Sequence, residues 1–204
     1  MKRLLATSLL LGVSSTVAAQ HEHHAPAAAS GEASTALLNE ADLTFLKHMI
    51  VHHEQAVVMS VLVPSRTERD EFVRFASYVR RGQAAEIEAM RALLGLAADR
   101  GMVATGHELQ GDPPMAGMLS SLQMRALESA TGAEFERLWL EGMIYHHRGA
   151  IDMAHAQQQQ QLDGGRQPYE VGVLVEEILL EQLAEITKMR AWLVEWGLTE
   201  PRGP

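Results

Sequence analysis

Residues 49–59, MIVHHEQAVVM, and residues 143–153, MIYHHRGAIDM, carry the same residue types at five fixed positions of the motif. These are Met49, His52, His53, Ala56 and Met59 in the first, with Met143, His146, His147, Ala150 and Met153 matching them in the second, each with its adjacent His-His pair. Unrelated stretches do not agree so closely by accident, so the chain contains an internal repeat. Downstream of each, a second segment recurs in order: Gln83, Glu86, Ile87, Met90, Arg91, Ala92 and Leu94, then Gln182, Glu185, Ile186, Met189, Arg190, Ala191 and Leu193. Each half reads as one αα unit. Two units are too few for a solenoid and suit a bundle.

The boundaries agree with that reading. Asn39 with Asp42 three residues on opens a helix from about Glu40 to Val63, where Pro64 stops it. Ser65 and Glu68 have capping-box spacing and open a second helix, with apolar positions Phe72, Phe75, Ala76, Val79, Ile87, Met90 and Leu94; Asp99-Arg100-Gly101 ends it. Residues 101–118 are rich in Gly and Pro and form a crossover loop, followed by a short helix from Ser120 to Ser129. Thr131 and Glu134 open a third long helix that continues to about Leu162, and Gly164-Gly165 breaks the chain. Pro168 suits the first turn of the last helix, which carries Val171, Leu174, Val175, Ile178, Ile186, Met189, Leu193 and Trp196 before Gly197. No strand pattern competes. The expected fold is all-α: a ferritin-like four-helix bundle over residues 39–197, made of two repeated αα-hairpins joined by a long crossover loop with a short helix.

Residues 1–19 read as a signal peptide. Lys2-Arg3 precede an apolar run from Leu4 to Val13, and Val17-Ala18-Ala19 form a small-residue cleavage site. The run is well short of the ~20 residues that a membrane span needs. A periplasmic or secreted protein without a membrane span is expected, with residues 20–38 a disordered His/Ala-rich tail and 198–204 a C-terminal tail. The 17 basic and 26 acidic residues give a formal charge of −9, and loss of Lys2 and Arg3 would take it to −11. Such a chain suits a cation and is a poor partner for nucleic acid. With no cysteine, disulfides, thiolate ligands and a Cys nucleophile are excluded, so any metal must be held by His, Met or carboxylate.

At 100° per residue, Phe45, Met49, His53, Ala56 and Val63 share one helical stripe with His52 and Met59 at its edge. Trp139, Met143, His147 and Ala150 repeat it, together with His146 and Met153. The histidines therefore point into or beside the core. Met and His one turn apart on a helix face are close enough to share an ion. Thioethers favour Cu(I) and imidazole suits Cu(II), Zn or Ni, so copper in both states fits the mixture best. Gln83, Met90, Gln182 and Met189 fall on the inner stripes of the second and fourth helices, with Glu86 and Glu185 at the flank, placed to complete a site or to hydrogen-bond the imidazoles. His21, His23 and His24, at the expected mature N-terminus, and the loop residues His107, Met115 and Met118 are further candidates. The bland alternatives are core filler for any one Met, a satisfied structural residue for a lone His, and a solvated tail.

With these motifs the chain resembles the family called domain of unknown function 305, over about residues 39–197. The resemblance rests on residues 45–59, 83–94, Gly117-Met118-Leu119, 135–154 and 182–193. It implies an exported ferritin-like bundle and copper handling, with Met49, His52, His53, Met59, Met143, His146, His147 and Met153 as ligands. The halves depart from each other where Glu54-Gln55 stands against Arg148-Gly149, so Gly149 is expected to permit a close helix approach that Gln55 would not.

The leading function is therefore an exported copper-binding protein that buffers the metal, confers tolerance or passes it to other copper-handling proteins. The alternative is a metal-independent helical interaction or stress protein with structural His-His pairs. A third reading, a ferritin-like metal-dependent oxidase, lacks the Glu-x-x-His motif that fold uses. His48 and His52 have zinc-protease spacing, but the intervening Glu is missing. Non-enzymatic binding is expected. An imidazole with a pKa near ~6.5 must lose its proton to bind, so affinity through His is expected to fall below about pH 6.

Overall fold

In the computed structural model, described over residues 38–99, 115–162 and 168–198, every regular element is a helix. α1 spans Glu40–Leu62, α2 Asp70–Asp99, α3 Ser121–Ser129, α4 Gly132–Leu162 and α5 Tyr169–Glu195, with a 3-10 turn at Val63–Ser65. α1 packs along α2 and α4 along α5, and the two hairpins meet along α1 and α4; the short α3 lies on α4 and α1. This is the ferritin-like four-helix bundle with a linking helix. The expected signal peptide, the tail histidines His21, His23 and His24, and His107 lie outside the described residues.

Two capping boxes form as the residue types dictate. Asn39 accepts from the Asp42 amide and Asp42 accepts from the Asn39 amide, both at 2.9 Å, a reciprocal capping box. Ser120 and Gln123 form a second one at the start of α3. The expected box at Ser65 does not form: its hydroxyl donates back to Leu62 O (3.0 Å), and α2 begins only at Asp70. The cause is tertiary. Thr67 donates to Glu136 Oε1 (2.5 Å) and Arg69 to Glu136 Oε2 (2.9 Å), so the buried carboxylate on α4 holds residues 67–69 out of the helix. Pro168 is likewise the residue before α5 and not part of its first turn.

The core divides into two clusters along the bundle. One is aromatic, with Phe72, Phe135, Trp139 and Trp192 buried, Phe72 and Trp139 edge to face at 5.0 Å, and Trp192 stacked on Trp196 at 4.6 Å. The other is mostly aliphatic, built from Phe45, Leu46, Ile87, Val171, Leu174, Val175 and Ile178. The four histidines of the repeated motif are fully buried as well.

Candidate metal centre

Three contacts fix the antiparallel register of α1 against α4. Trp139 Nε1–H donates to Met59 O (3.1 Å), the rings of His52 and His146 lie 3.8 Å apart, and Gln157 Nε2–H donates to the buried Asp42 carboxylate (2.6 Å). His52 and His146 are equivalent positions of the repeat. In this register each therefore faces its own counterpart, and the pseudo-twofold relation between the halves passes through that pair.

The flanking histidines reach outward to the partner helix of their own hairpin. His53 Nε2 stands 2.7 Å from Glu86 Oε2, an ion-pair distance without the alignment of a hydrogen bond, and Glu86 Oε1 has no partner. His147 Nε2 meets Glu185 Oε2 at 2.5 Å in an aligned bond. Both carboxylates are buried. The expectation that they sit at the flank is thus corrected: each lies inside, against a ring. A carboxylate on one ring nitrogen is the usual way to orient a histidine whose other nitrogen faces a metal.

The axial pair is satisfied by backbone. His146 Nε2 lies 2.8 Å from His52 O, and His52 Nε2 lies 2.9 Å from Ala116 O. A carbonyl oxygen only accepts, so Nε2 carries the hydrogen in both rings. Burial drives His52 down to about 3, helped by the field of His53, and it likewise drives His146 well below the usual imidazole range, helped by His52. Both rings are therefore neutral at pH 7 with Nδ1 unprotonated. In all four rings Nδ1 is buried and without a hydrogen-bond partner. Leaving a polar atom in that condition costs about 1–3 kcal/mol each.

The thioethers are arranged with the same symmetry. Met59, Met143 and Met189 lie in the aromatic core cluster, while Met49, Met90 and Met153 belong to the aliphatic one, Met153 half-buried and the other five fully buried. Each set draws on three helices and both halves, since Met59 from α1 joins the set of α4 and α5, and Met153 from α4 joins that of α1 and α2. The imidazoles lie between the sets in sequence on both α1 and α4. Among the described residues no three His, Asp or Glu side chains converge as a metal site. A metal here would have to draw on sulfur as well as nitrogen, and unprotonated imidazole with thioether is a donor set for a soft or borderline cation.

The remaining sequence candidates divide. Gln83 and Gln182 are buried, with Gln83 Oε1 and both polar atoms of Gln182 unpartnered. Met115 and Met118 are half-buried, on the segment that supplies Ala116 O to His52. His48 is half-buried. The reading of Gly149 needs correction, because what approaches it is the backbone of Ala116 and Gly117 and not another helix. Sequence reasoning missed Ala116, whose contribution is a backbone carbonyl that no side-chain pattern announces, and Gln55, which appeared only as a departure from the repeat.

An all-α bundle with paired inward histidines and two methionine sets defines a class of His/Met bundle proteins. The family profile described as domain of unknown function (DUF305) matches residues 42–193, and the chain belongs to that family. Among solved structures it resembles a candidate secreted protein of this family from Streptomyces coelicolor, with 28% identity and TM-score 0.64, covering 80% of this chain and 96% of that one. A fragment from Deinococcus radiodurans is 26% identical with TM-score 0.66, covering 78% of this chain and 99% of its own. CopM in its Cu(II)-bound form is 28% identical with TM-score 0.60, covering 76% and 97%. CopM is also known in Cu(I)-bound, silver-bound and apo forms. No curated protein sequence matches the chain.

Proposed function

We propose that this protein is exported and binds copper, buffering the ion or handing it on without acting on a substrate. The observation that carries this reading is the set of four buried imidazoles with unpartnered Nδ1 atoms, flanked in sequence by two methionine sets related by the repeat. His52, His53, His146 and His147 supply nitrogen; Met49, Met90 and Met153 on one side, and Met59, Met143 and Met189 on the other, supply sulfur. Glu86 and Glu185 orient His53 and His147. The copper-bound forms of CopM support the choice of metal, and the Lys2-Arg3, Leu4–Val13 and Ala18-Ala19 pattern supports export.

The test is a Cu(I) titration against a competing chelator. Met-to-Leu replacement conserves volume and costs less than about 1.5 kcal/mol per site, so the two methionine sets can be removed separately as triple variants. Each variant is expected to weaken Cu(I) binding at least about tenfold, a loss of ~1.4 kcal/mol. Native affinity in both triple variants and in His52→Gln/His146→Gln would leave the histidines as structural residues.

A further inference from the structure

The two halves differ most where they meet one short segment. If the repeat were obeyed, His52 Nε2 would donate to His146 O, as His146 Nε2 does to His52 O. It meets Ala116 O instead. That carbonyl arrives because Gly149 has no side chain: a Cβ there would lie 2.0 Å from Ala116 O and 2.3 Å from Ala116 C. Gly117, at φ +82°, is also pressed against this backbone, since its Cβ would lie 2.7 Å from His146 O and 2.8 Å from Gly149 Cα. The counterpart of Gly149 in the first half is Gln55. Its amide accepts from the Leu119 N–H (2.7 Å) and donates to Leu119 O (3.0 Å), pairing with the backbone as another strand would.

We infer that residues 115–119 are a positioning element for His52, seated on Gly149 and latched by Gln55, which fixes the ring in the Nε2–H tautomer and so presents Nδ1 to the ion. Resting on the copper reading for its metal arm alone, the inference assigns to both departures from the repeat a single task. Without the segment, the buried Nε2 of His52 has no acceptor, and the ring is free to exchange tautomers or to flip. His146, bonded to a carbonyl within α1, needs no such help. The divergence between the halves is thus a replacement for the one axial bond that the repeat leaves unmade.

Long-range 1H–15N spectra of the metal-free full-length protein read the tautomers directly. In the native chain both axial rings are expected as Nε2–H. In Gln55→Ala the Leu119 amide is expected to exchange with solvent at least about tenfold faster, and the His52 signals to move toward the tautomeric average while those of His146 stay. Gln55→Glu, which keeps only the acceptor for Leu119 N–H, is expected to restore part of the protection. Gly149→Val is expected to give the larger change, and Gln55→Ala stands in if that variant does not fold. Cu(I) affinity is expected to drop about tenfold in Gln55→Ala with stoichiometry retained. An Nδ1–H His52 in the native protein, a protected Leu119 amide in Gln55→Ala, or an unmoved tautomer once that amide is exposed would each overturn the inference. A native chain that binds no copper would sink the metal reading and leave the tautomer result standing.

Discussion

The hairpin α1–α2 and the hairpin α4–α5 carry the same donors in different states of satisfaction. In the second, His147 has an aligned bond to Glu185 and His146 donates to a carbonyl within α1 of the other hairpin. In the first, His53 meets Glu86 off-axis with one carboxylate oxygen left over, and His52 depends on a carbonyl from outside both hairpins. Position 82 differs as well. Gly82 lies in the Gln83 segment where the other half has Glu181, and the Glu181 carboxylate comes within 3.4 Å of where a Gly82 side chain would begin. Repetition thus provides the donors, and divergence decides how each is held.

The largest expected effect is on acid stability. His52 is driven down to about 3 and His146 well below its usual value, both by burial. The unfolded chain takes up these protons as pH falls through ~6.5 while the folded one does not. Stability is therefore full above that pH and is lost below it, by about 1.4 kcal/mol per pH unit for each ring. Urea titrations from pH 7 to 4.5 check this, and His146→Gln should remove about half of the slope. The same burial moves the expected pH limit of metal binding. If these two rings hold the proposed copper, proton competition at them sets in well below the pH 6 that an ordinary imidazole implies.

Next in size are the counterpart aromatics. Trp139→Ala removes a fully buried ring and its bond to Met59 O, and should cost about 3–5 kcal/mol. Phe45→Ala, slightly exposed and with no polar bond, should fall at the low end of that range. Glu185→Ala leaves His147 without its bond and is expected to cost about 2–3 kcal/mol, whereas Glu86→Ala should cost about 1 kcal/mol less because its contact is misaligned. Equal losses in chemical denaturation would show that the two pairs do not differ in solution.

The smallest effect concerns Glu181, which burial, and then the charges of Glu86, Glu185 and Glu177, raise to about 7. A carboxyl raised above its unfolded value of about 4.5 opposes folding as pH rises from there through 7. Glu181→Gln is expected to stabilise the protein by about 1 kcal/mol at pH 8, a figure reduced for the group's partial exposure, and to have no effect at pH 4. A thermal midpoint that does not rise at pH 8 would place the carboxylate in solvent.

Much of this was legible in the residues. The 3.6-residue period put Met49, His53, Ala56 and Val63 on one stripe, and all are buried. Asn39 with Asp42 marked the first helix start, and Gly197, at φ +65°, follows the last helix. His52 and Met59, read as edge residues, proved fully buried, because α4 covers the side of α1 that a single-helix projection leaves open. Ser65 failed as a cap for a related reason: Glu136, far away in sequence, competed for the connector and won.

Residue order alone carried the helices, their inward faces, the pairing of histidine with methionine and the chemical softness of these side chains, because periodicity and residue type are local properties of a chain. Packing between helices settled that His52 meets its own counterpart, that each methionine set draws on both halves, and that Ala116 reaches the His52 ring. Period fixes which way a side chain points but not what stands opposite it. That depends on interhelical register and on the path of an aperiodic segment, both set by packing after the helices have formed.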